Sequence, residues 1–88
     1  MMTLDAPILD RLLDPLGKFL TPEVARRFVD YRFDAKSRAK IERLARKCNQ
    51  GKLSDEERRQ YETYVYAIDF IAILQAKARA RLQRSADA

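Results

Sequence analysis

Cys48 is the one thiol in these 88 residues, and no histidine accompanies it anywhere in the chain. A cysteine nucleophile needs a neighbouring base or cation to hold it as thiolate, so Cys48 reads as a small core residue. A zinc site built from one Cys and no His is equally unfavoured. Asp69 is the one acid set inside the apolar stretch between Tyr64 and Leu74. It reads more simply as the partner of a neighbouring arginine, or as lining an interface, than as a general base. Two groups of cations remain. Lys36, Lys40, Arg43 and Lys47 recur along one side of a helix, with Arg38 and Arg46 beside them and only Glu42 opposing. Lys77, Arg79, Arg81 and Arg84 stand near the end of the chain. Clustered cations meet phosphates or an acidic protein. They also make ordinary solvated faces, and the second group has the sign that a helix C-terminus prefers. The basic row has no interleaved aromatics for stacking single strands, and no helix-turn-helix signature is present. The expectation is a protein without catalytic, cofactor or metal residues, and not an enzyme.

The element that must carry most of these groups runs from Leu53 to Arg84 without Gly or Pro. Ser54 and Glu57 have the spacing of a capping box, and Asp55, Glu56 and Glu57 suit the positive end of the helix dipole. One stripe of this helix (Tyr61, Tyr64, Val65, Ile68, Ile71, Ala72, Gln75, Ala78 and Leu82) follows the helical period and should face a core. A second stripe, Tyr66, Phe70, Ile73 and Leu74, points to roughly the opposite side. Either other helices wrap this second stripe, or it is a homodimer seam or a docking face for another protein.

Three shorter helices precede it. Asp5 and Pro7 open a segment with Ile8, Leu9, Leu12, Leu13 and Leu16 at helical spacing, which Pro15 and Gly17 soon end. It is too short to stand alone and should form a leucine-faced lid, or fold on a partner. Thr21-Pro22-Glu23 starts a helix expected to run to about Phe33, with Val24, Ala25, Phe28, Val29 and Tyr31 or Arg32 on its apolar side. Asp34 caps the next, whose buried edge should be Ile41, Leu44, Ala45 and Cys48, with Gly51 at its end. The short turn after it implies an antiparallel return.

The fold class expected is therefore all-α. It is a small helical bundle with a short N-terminal helix (1–17), an antiparallel pair and a long C-terminal helix. The helices span 21–33, 35–50 and 54–84, a frayed tail covers 85–88, and the whole chain 1–88 forms one domain. Charged residues at 35% and a formal net charge of +5 permit an acidic partner or nucleic acid without requiring either. The lone cysteine, the lack of a basic and apolar leader in MMTLDAPILD and the break at Asp69 point to a cytoplasmic protein off the membrane. At this size a helical fold often gains stability by association, so a homodimer is expected.

The segments Thr21–Arg27, Asn49–Arg58, Tyr61-Glu62 and Ala72-Ile73-Leu74-Gln75-Ala76-Lys77-Ala78-Arg79 together resemble a group of small uncharacterised bacterial helical proteins. The resemblance covers most of residues 20 to 82, and its last motif is the most distinctive. It implies a gene placed beside an HNH or PIN-type nuclease and an antitoxin-like or accessory role toward that nuclease. It implies no functional residues, and the ribbon-helix-helix or looped-hinge region common in antitoxins is not apparent.

Overall fold

The computed structural model describes Asp5 to Asp87, with side chains as far as Arg84. It is all-α: α1 (Ala6–Leu13), a 3₁₀ turn (Asp14–Phe19), α2 (Pro22–Asp30), α3 (Ala35–Asn49) and α4 (Asp55–Asp87), with no strand among the described residues. The caps read from the sequence form as expected. Asp5 accepts from the amide of Ile8, Thr21 from that of Val24 and Asp34 from that of Ser37. Ser54 and Glu57 exchange reciprocal bonds, each 3.1 Å long. Each satisfies an amide that the first turn of a helix would leave without a partner.

Helix ends differ more. The α2 helix stops at Asp30, short of the expected Phe33, because Tyr31 turns extended with ψ 135°. The Phe28 carbonyl, which also accepts from the Tyr31 amide, and the Tyr31 carbonyl both accept from the Gln75 amide of α4. The first segment is α-helical only to Leu13, then tightens into the 3₁₀ turn once Pro15 removes a donor. At the other end, α4 stays helical through Asp87, where a frayed tail was expected from Ser85; Ala88 and residues 1–4 lie outside the described residues.

The chain falls into two compact units. One holds α3 and the start of α4, within Arg32–Ile68. Here Gly51, with φ +67°, closes α3: its amide bonds to the Cys48 carbonyl, and the Lys52 amide reaches the Lys47 carbonyl at 2.9 Å. This double bond pattern over a left-handed glycine stops a helix and redirects the chain. Lys47 Nζ then donates to Glu57 Oε2 at 2.6 Å, tying the last turn of α3 to the first of α4. Leu44 is fully buried, whereas Ile41 and Ala45 are half-buried and Cys48 is exposed. The buried edge expected through Cys48 is thus rotated toward Lys40 and Lys47, both half-buried, because the Lys47–Glu57 pair occupies the facing side of the last turn.

The other unit joins α1, the 3₁₀ turn and α2 to α4 from Asp69 onward. Three polar side chains of α4, close together along the helix, hold it. Gln75 takes the end of α2, Lys77 donates to Asp10 and Asp14 at 3.0 and 3.1 Å, and Arg81 Nε donates to the Leu20 carbonyl at 2.9 Å. Among the described residues, Ala25, Ala78 and Gly17 are the buried ones here, besides Lys77. This unit is held by small residues and bonded polar groups more than by large apolar ones.

Candidate interaction surface

The Lys77 contact decides which side of α1 faces outward. Asp10 and Asp14 are four residues apart, so both lie on one face, and Lys77 draws that face toward α4. Leu9 and Leu13 flank it and are half-buried, while Ile8 and Leu12 are turned away and exposed. The leucine-faced lid expected from the sequence therefore closes with only part of its apolar side. Continuing through the 3₁₀ turn, Leu16 and Phe19 are exposed too. Leu12 retains 68% and Phe19 77% of its accessible surface.

This exposed row adjoins a cavity of about 280 Å³ in the same unit, whose walls are mostly Leu16, Phe19, Leu20, Phe28, Phe70 and Leu74. Of the second stripe on α4, then, Phe70 and Leu74 line a recess shared with the N-terminal segment. Phe70 is exposed and Leu74 half-buried, as is Ile73. Tyr66 is half-buried and belongs to the other unit. The first stripe is less uniformly covered than expected: Ala78 is buried, but Ile68 and Ala72 are exposed. Beyond Asp69 the inward line is set by the bonded residues Gln75, Lys77 and Arg81, which turns Ala72 out.

A second recess, of about 490 Å³, touches the apolar one at Gly17 and Lys77 and is lined by Asp14, Lys18, Arg81 and Arg84. Lys18 and Arg84 are exposed. The cationic group near the end of the chain, read as a phosphate contact or as helix-terminus charge, is thus divided. Lys77 is buried between carboxylates and Arg81 is half-buried, leaving Arg79 and Arg84 outside. Burial works against the charge of Lys77, yet the bonds it donates to Asp10 and Asp14 outweigh that and hold its pKa above the ordinary lysine value.

On α3, Lys36 and Arg43 are exposed, whereas Lys40 and Lys47 are half-buried. Lys47 is the chief cause of the depressed Glu57 pKa, about 2, helped by the Ser54 amide. Asp69 is half-buried, and among the described residues no three His, Cys, Asp or Glu side chains gather as metal ligands would. No described helix is long and apolar enough to cross a membrane. Lys77 as an internal tether was not foreseen in the sequence. Its signal was the pair Asp10 and Asp14, two acids four residues apart in a leucine-rich segment. Comparison with protein-family models, curated proteins and solved structures finds no match to this chain.

Proposed function

We propose that this protein is a non-enzymatic helical interaction module that buries its apolar row against another polypeptide, in an accessory or antitoxin-like role toward a nuclease encoded nearby. One observation carries the reading. Among the described residues Leu44 is the only large side chain fully shielded, while Ile8, Leu12, Leu16, Phe19 and Phe70 stand exposed. Contiguous apolar surface of this kind marks interaction sites in soluble proteins. Phe70, Ile73 and Leu74 supply the contribution of α4. The nuclease part of the proposal rests on the sequence resemblance alone.

A homodimer and a complex with a different protein both satisfy this surface. Sedimentation and cross-linking at micromolar concentration, alone and after co-expression with the neighbouring gene product, separate them. Association is expected in at least one case, and Leu12→Asp with Phe19→Asp should abolish it while leaving the helical circular dichroism intact. A strict monomer that the neighbouring product never joins would sink the proposal.

A second reading, a small basic nucleic-acid-binding protein, draws on the exposed Lys36, Arg38, Arg43 and Arg46 of α3. Under it, random duplex binds at low salt, and affinity falls with a log–log slope of about 0.9 per phosphate neutralised. Replacing the exposed Lys36, Arg38, Arg43 and Arg46 by Glu, which leaves the Lys47–Glu57 pair in place, should then remove binding. Unchanged or absent binding dismisses this reading.

A further inference from the structure

We infer that the recess between the 3₁₀ turn and α4 receives an acidic amphipathic helix from a different protein, its apolar side chains entering the cavity and its carboxylates meeting Lys18 and Arg84. The inference rests on the interaction-module reading and names the chemistry of the partner. Shape argues for a helix. The cavity at Phe28, Phe70 and Leu74 is concave and of a size for one or two large side chains, while Leu12 and Phe19 extend the apolar surface beyond it. A groove flanked by an apolar ridge is how an amphipathic helix is held, by side chains at helical spacing.

Charge argues for the partner's sign. The cationic recess adjoins the apolar one at Gly17 and Lys77, and among the described residues its lining sets Lys18, Lys77, Arg81 and Arg84 against one acid, Asp14, which is bonded to Lys77. A helix lying in the apolar recess therefore has one edge beside exposed cations, where carboxylates are favoured and ammonium groups repelled. The same sign disfavours a second copy on this face. The chain carries a net +5, and face-to-face contact would bring two cationic rims together. A bilayer is favoured less, because a flat surface does not fill a concave cavity.

Two synthetic amphipathic peptides of about 18 residues, long enough to populate helix, test this. They share one leucine and phenylalanine stripe and differ only in flanking Glu or Lys. Fluorescence anisotropy against the full chain should show the Glu peptide binding about tenfold tighter at low salt, the sum of two or three exposed pairs. The gap should shrink at about 0.5 M salt. Phe19→Asp should abolish binding of both peptides, and Lys18→Glu with Arg84→Glu should reverse the preference. These side chains are exposed, so circular dichroism should be unchanged. Equal affinity for the two peptides, no binding of either, or insensitivity to Phe19→Asp would overturn the inference. So would a homodimer that Phe19→Asp dissociates, or tighter binding through Phe19 to vesicles of anionic lipid than to the Glu peptide. The homodimer outcome would leave the interaction-module reading standing.

Discussion

Lys77 keeps 8% of its side-chain surface exposed, whereas its partners Asp10 and Asp14 keep 59% and 76%. Truncating the lysine therefore strands no buried carboxylate, and the loss is two charge-assisted bonds to exposed carboxylates together with the packing of its buried stem. Lys77→Ala should cost about 1–2 kcal/mol in chemical denaturation. Its clearer readout is faster amide exchange along α1 and the 3₁₀ turn, and unchanged exchange there would show that the tether does not hold them. Glu57 responds to acid. Its folded pKa of about 2 lies below the ordinary 4.5, so the native state binds this proton less readily than the unfolded chain. The stabilisation is complete above pH 4.5 and disappears as pH falls toward 2. Glu57→Gln should flatten that limb of a stability-against-pH curve, and an unaltered limb would assign acid sensitivity elsewhere.

Gly51 and Gln75 act on whole elements. At Gly51 an added Cβ meets nothing within 4 Å, so Gly51→Ala tests the left-handed backbone alone. It should destabilise by about 1 kcal/mol, measured by thermal or denaturant unfolding. Gln75 secures the end of α2 by donating to the Phe28 carbonyl and to that of the C-cap Tyr31, so Gln75→Leu should fray α2 in hydrogen exchange while leaving α3 unaffected. Element starts were legible because Asp5, Thr21, Asp34 and Ser54 act on amides a few residues away, within the reach of local sequence. The stop of α2 at Asp30 was not, since the group that secures it lies 47 residues further on. Cys48 was misplaced for a similar reason. Helical period locates a stripe, but the Lys47–Glu57 pair sets its final rotation.

For the molecule as a whole, the all-α class followed from periodicity and from the scarcity of Gly and Pro, both properties of the chain itself. The proposed interaction surface was legible only in part. Periodicity on α4 marks Phe70 and Leu74, but their neighbour Leu16 comes from the segment expected as a lid and Phe19 from beyond its expected end, and pairing distant segments needs the fold. Association should show two opposed responses to salt. An apolar contact strengthens or holds as ionic strength rises, whereas cationic steering weakens beyond a Debye length of about 10 Å at 0.1 M. Measured complex formation should therefore lose association rate more than lifetime with added salt. A complex whose lifetime collapses with salt would be held by charge instead.

Ala25 and Ala78, both wholly enclosed, carry a consequence for how this sequence tolerates change. In most small domains the positions least forgiving of substitution are bulky ones. Here, for the isolated chain, enlarging an alanine to valine or leucine should prove more damaging than shrinking Leu12 or Phe19 to alanine. A saturation scan scored first for folding and then for complex formation should sort them into two classes, the alanines in the former and the outer leucine and phenylalanine in the latter.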